Sequence, residues 1–234
     1  MKHLSYIVIL ILWPLLIFGQ GINVSNTGTV AAPFLTVSLD PRGTAMGGAS
    51  TAYSGGIRCA IWNPAALAQK KHSFFIAHSQ WLAGITLDQA GLNFSLGNMG
   101  NLAAYLTNLN YGEMKVRTVG KPQGTGEHFD AADFSIAVYY ARNLTNRLKL
   151  GAGVKYIYQR IWHSTANSVA FDIGTLFHSP IWHIDFGVNI SNFGPDMRMS
   201  GRDTRVFHDI DPVMTGNNDR IPAQLKRMPG HFRY

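Results

Sequence analysis

Nine histidines, one cysteine and a serine beside an imidazole are the groups in this chain that could carry out chemistry. A metal site on a helix needs His-x-x-x-His or an equivalent pair beside a carboxylate, so that the ligands share one face. No such pair occurs, and His163, His178, His183 and His208 fall near expected turns or strand ends, where a solvated imidazole is the ordinary role. Nucleophilic catalysis needs a nucleophile, a base and an orienting group in contact. His78-Ser79-Gln80 is the one local candidate, and on a strand its His and Ser point to opposite faces. The glycine-rich stretch at 43–56 lacks the Gly-Lys-Ser/Thr of a phosphate loop. The reading is non-enzymatic, with no metal and no cofactor.

Two motifs instead carry structural chemistry. Gly43, Met46, Gly47, Gly48 and Ala49 crowd glycines where a backbone turns tightly or approaches another closely. Trp62, Asn63, Pro64 and Ala65 read as a capped helix start, with Asn63 as N-cap and Pro64 at the first helical position. Residues 43–67 are expected to pack inside or under the sheet that follows. In that arrangement Trp62 is buried against small inward-facing residues.

The start of the chain reads as a secretory leader. Lys2 and His3 give a short basic start, residues 4–18 are apolar apart from Ser5 and Pro14, and Gly19–Gln20 suits cleavage. The run is shorter than the ~20 residues of a membrane-spanning helix, and Pro14 would break it. Cys59 is the only cysteine, so neither a disulfide nor a lipid-bearing cysteine after cleavage is available.

Charged residues make up 14% of the chain, against a usual ~25% in soluble domains, while glycine (24 residues) and aromatics (12%) are plentiful. Mean hydropathy is only +0.01, and no second long apolar run appears. That combination disfavours a helical membrane protein and suits a barrel, whose strands spread apolarity over alternate positions. A secreted β-sandwich is the plainer alternative, although its exposed face would carry more charge. The net charge of +7 could suggest nucleic acid, but export argues against that partner.

Beyond residue 70 the apolar residues recur with a period of two. Phe134, Ile136, Val138 and Tyr140 alternate with Asp133, Ser135, Ala137 and Tyr139. Leu148 to Tyr158 alternate with Gly151, Gly153, Lys155 and Gln159. Val169, Phe171, Ile173 and Phe177 oppose Ser168, Asp172 and Gly174, and Phe186, Val188 and Ile190 oppose Gly187, Asn189 and Ser191. Connections are expected to alternate: short at 97–101, 143–147 and 178–180, longer at 81–86, 113–130 and 163–167. Tyr156, Tyr158, Trp162 and Trp182 sit where an aromatic girdle would meet the membrane interface. Lys115, Arg117 and Lys121, then Arg198, Arg202 and Arg205, gather in the presumed loops, where they could contact phosphates of outer-membrane lipid.

The leader, the Met46-Gly47-Gly48-Ala49 element, the Trp62-Asn63-Pro64-Ala65 helix start and the serial strands together resemble the PorV/PorQ family of the type IX secretion system, relatives of FadL-type barrels. The resemblance covers roughly residues 34–225. Two departures are Ser54-Gly55-Gly56-Ile57-Arg58 where the family has acidic residues, and Ala66 where it has glycine. It implies an antiparallel transmembrane β-barrel of about fourteen strands. It also implies a bacterial outer-membrane location and a role in handling secreted cargo or other secretion components. A FadL-like passive channel for hydrophobic solutes is the alternative. About seven strands are countable here, so the sequence reads as about half of such a barrel. Its divisions are a signal peptide at 1–19, an irregular and partly helical stub at 20–70, strands at 71–200 and an irregular or truncated tail at 201–234. Small inward residues (Gly, Ala, Ser, Asn) leave room for the stub as an occupant.

Overall fold

The computed structural model describes residues 30–69, 71–181, 184–209 and 218–222. The proposed leader, its cleavage point, Trp182 and His183 lie outside these. Seven strands form an antiparallel meander in chain order: β1 (Ser73–Gln80), β2 (Thr86–Ser95), β3 (Asn101–Lys115), β4 (His128–Asn143), β5 (Leu148–Ile161), β6 (Ser164–His178) and β7 (Asp185–Phe193). A two-residue strand, β8 (Ser200–Gly201), continues the edge of β6 past the end of β7. The fold is therefore all-β, and the sheet is open: among the described residues β1 and β7 each keep one edge unpaired. No helix among the described residues is long and apolar enough to cross a membrane.

The period-two pattern sorts the side chains onto two faces. One face, covered, carries Leu87, Gln89, Asn93, Ala103, Tyr105, Ala137, Tyr139, Lys155, Ala170 and Asp172, all buried. The other face is open and apolar, with Phe74 73% and Val188 64% exposed alongside Leu92, Phe94, Val138, Val154, Phe171, Ile173 and Ile190. This is the reverse of a soluble sheet, which buries its apolar face. The core lies between the covered face and residues 31–68, where Phe34, Leu35, Ile57 and Leu67 pack onto the strands. Fully burying each such side chain is worth about 1.5–3 kcal/mol. Larger polar groups join the small residues expected there. The Tyr139 ring lies over Gly153 and its hydroxyl donates to Asp172, which also pairs with Lys155 Nζ at 3.0 Å.

The apolar stretch on the open face slides as the sheet is crossed. On β1 it is centred at Phe75, whose cross-strand row runs through Gly91, Tyr105, Ala137 and Lys155 to Ala170 on β6. On β7 it is centred at Val188, whose partner on β6 is Thr175, five residues further along. That is a drift of roughly 17 Å along the strands over six interstrand steps of ~4.8 Å, a slope of about 30°.

Three expectations need correction. The β5–β6 connection is not a long link over 163–167 but the two residues Trp162 and His163. Trp162 adopts φ +50°, which permits the tight reversal, and its N–H donates to the Asp130 carbonyl. Strict alternation of short and long links also fails, because the 81–85 and 96–100 connections are equally short; the long link that remains runs over 116–127. Within residues 201–234 the chain is not wholly irregular: β9 (Arg205–Asp209) pairs antiparallel with β10 (Asn218–Pro222). Between β7 and β8, residues 194–199 form no regular strand but stay alongside β6, with Gly194 against the Val169 carbonyl, and turn Met197 into the core beside Ala31 and Ala32.

Candidate functional site

The covered face and the segment lying on it form the candidate site. Around the first motif the chain makes α1 (Pro41–Ala45), capped by Asp40, whose carboxylate accepts from the Gly43 N–H at 2.9 Å. Gly47 and Gly48 then take φ +64° and +86°, conformations that favour glycine. The second motif is one 3₁₀ turn, Pro64–Leu67, and not a full α-helix. Asn63 Oδ1 accepts from the Ala65 N–H at 2.9 Å, which is the cap expected from sequence.

Asn63 does more than cap. Fully buried, it donates through Nδ2 to the Thr51 carbonyl at 2.8 Å and to the Thr175 carbonyl on β6 at 3.0 Å. One side chain thus closes the turn, joins two parts of the segment and ties both to the wall. The wall makes room for this with glycines. A methyl group at Gly174 would overlap the Asn63 side chain, and one at Gly151 would overlap the Pro64–Ala65 peptide. Gly187 receives the Thr51 carbonyl in the same way.

Trp62 seats on the first motif. It is partly buried, and its ring lies over the glycine motif, within 3.0 Å of where a Cβ would stand at Gly43 and at Gly48. The two motifs therefore seat each other, and Asn63, Pro64 and Ala65 meet the strands. Met46 and Ala49 are exposed on the far side of the segment.

Amide side chains pointing from the strands hold the backbone of the segment. Gln89 accepts from the Leu39 N–H at 2.9 Å and donates to the Val37 carbonyl at 2.8 Å, so it pairs with extended chain as a strand would. Asn101 donates to the Gln69 carbonyl, Asn93 to the Lys71 carbonyl, and Gln159 accepts from the Ala32 N–H. None of these roles is visible as a motif. The available signal is a polar amide at a position whose period-two neighbours face inward.

The basic residues assemble at one end. Lys115, Arg117 and Lys121 lie at the end of β3 and in the 116–127 link, and all are exposed. Arg202 stacks over Trp162 at 6.0 Å and lies against His163, at the same end of the sheet. Arg198 is exposed just before β8. Tyr156 and Tyr158 stand on the open face of β5 below this cluster, and Phe129 packs against Trp162. Comparison of the chain with protein-family models, with curated proteins and with solved structures finds no match.

Cys59 is fully buried beside Gly55. Burial pushes its thiol from the ordinary 9.0 up to about 11. The group is neutral when protonated, so its contribution to stability is complete below pH ~9 and is lost as pH rises through ~11. Iodoacetamide should therefore modify the unfolded chain with a midpoint near pH 9. The folded protein should stay unmodified at pH 8, as read by intact mass; rapid native alkylation at pH 8 would contradict the burial.

Asn63→Ala should remove the cap, about 1 kcal/mol, and two buried hydrogen bonds of about 1 kcal/mol each. Asn63→Asp keeps the cap acceptor but loses both Nδ2 donations and buries a charge, so it should destabilise at least as much. Urea unfolding followed by circular dichroism measures both. A milder effect for the Asp variant would show that the wall bonds contribute little.

Proposed function

We propose that this chain forms part of the wall of an outer-membrane β-barrel of PorV/PorQ type, a non-enzymatic component of protein secretion at that membrane. The observation that carries the reading is the open face: a continuous apolar surface across seven strands, whose centre lies five residues further along on β7 than on β1, an overall slope of about 30°. Strands of a transmembrane barrel tilt by ~35–45°, so a belt level with the membrane must slope across their rows in this way. An exposed apolar surface of this extent marks a partner, and lipid fits one that spans every strand. The aromatic and basic residues at the 116–127 and Trp162 end suit a membrane interface, where Arg and Lys can meet lipid phosphates.

Protein handling is favoured over passage of small solutes because the covered face is packed. Segment and wall interlock through glycine contacts and amide bonds, an arrangement suited to a fixed support. A gate would need to leave the wall at low cost. The resemblance in the Met46–Ala49 and Trp62–Ala65 elements supplies the secretion context.

Deleting residues 43–67 in cells that carry the protein separates the readings. Loss of cargo export with unchanged outer-membrane permeability is the expected result. A rise in permeability to hydrophobic solutes with export intact would favour the channel. If neither changes, the segment serves folding alone and both readings of it fail.

A further inference from the structure

At the end of the sheet opposite the basic cluster, the 96–100 and 144–147 turns and the emerging segment at residues 68–69 enclose a hollow of about 490 Å³. Asn98, Asn143, Asn146 and Lys149 line it. The amides of Asn98, Asn143 and Asn146 make no side-chain hydrogen bond among the described residues, whereas Lys149 Nζ donates to Ser54 Oγ at 3.0 Å. A second hollow of about 240 Å³ shares Asn146 and Lys149 and adds Arg147, so the two form one groove around the β4–β5 turn. Asp185, the carboxylate that lines it, already faces His178 Nδ1 at 2.6 Å.

The molecule itself shows what such amides bind. Gln89, Asn93, Asn101 and Asn63 each hold main-chain carbonyls or N–H groups of residues 37–71, and Asn93 and Asn101 do so next to this groove. Asn98, Asn143 and Asn146 carry the same chemistry outward, past the point where the segment's own backbone has joined β1. We propose that this groove binds an extended stretch of polypeptide with acidic character, its peptide groups paired with the three amides and its carboxylates drawn to Lys149 and Arg147. The proposal names a substrate class for the protein-handling reading and rests on that reading only for the source of the peptide.

The test uses the full chain folded in detergent micelles and acetylated octapeptides labelled with a fluorophore. The acidic peptide of four Thr-Asp repeats should bind saturably, and four Thr-Lys repeats should bind at least tenfold more weakly. Methylating the backbone nitrogens of the acidic peptide should abolish binding to the unmodified protein, a result independent of any variant's folding. Asn143→Ala with Asn146→Ala should weaken binding at least tenfold with the strand signal in circular dichroism unchanged, and Arg147→Gln with Lys149→Gln should erase the preference for acid. Equal binding of the methylated or the basic peptide would overturn the proposal. So would absence of saturation, or displacement of the peptide by tetra-N-acetylglucosamine. Peptide binding together with undiminished export after deletion of residues 43–67 would reject the secretion role and leave the groove standing.

Discussion

An irregular stretch of chain can lie against a sheet only if its peptide groups find partners there, because a buried N–H or C=O without one costs as much as a lost hydrogen bond. In this protein those partners are side-chain amides set into the strands. Gln89 holds residues 37 and 39, Asn101 holds residue 69, and Asn63 reaches back from the segment to the main chain of β6. The rest of the arrangement depends on this. The closest approaches of the segment come where the wall offers glycine, at Gly91, Gly151, Gly174 and Gly187. Once it is held, its apolar side chains fill the space between the strands and itself.

The same constraint bears on the polar groups inside the wall. Lys155 and Asp172 are almost completely buried, and each is answered: Lys155 by Asp172 and Asn192, Asp172 also by the Tyr139 hydroxyl and the Asn192 N–H. Removing one member of such a group commonly costs 3–5 kcal/mol, since the charge left behind has no water to turn to. Asn192 takes φ +58° to deliver its N–H, at the place where the pairing of β6 with β7 shifts register. The register shift thus falls where one buried carboxylate takes its main-chain partner.

Much of this was legible in the sequence. Alternation in Phe134–Tyr140, Leu148–Tyr158 and Val169–Phe177 assigns every side chain to its observed face, because period two survives tertiary packing when one face is uniformly apolar. The cap at Asn63 was equally plain, because it depends on residues two positions apart. The Asp40-Pro41 start of α1 carried the same local signal and was overshadowed by the glycines that follow. Contacts across long separations were not legible. That Trp62 seats on Gly43 and Gly48 could not be read locally, because those glycines stand 19 and 14 residues before it. The two-residue turn at Trp162 was hidden because a tryptophan at positive φ is rare, and the polar residues after it look like loop.

The account's central claim is that the apolar face meets lipid while the amide-bearing face holds the chain's own segment. Single cysteines at Val169, Phe171, Ile173, Phe186, Val188 and Ile190, in a Cys59→Ser background and in native membranes, test it most directly. These sites should react with a membrane-partitioning maleimide and resist a charged, water-soluble one. Asn167, beyond the apolar stretch on the open face of β6, should react with both. Reactivity of the six apolar sites toward the water-soluble reagent equal to that of Asn167 would contradict the account.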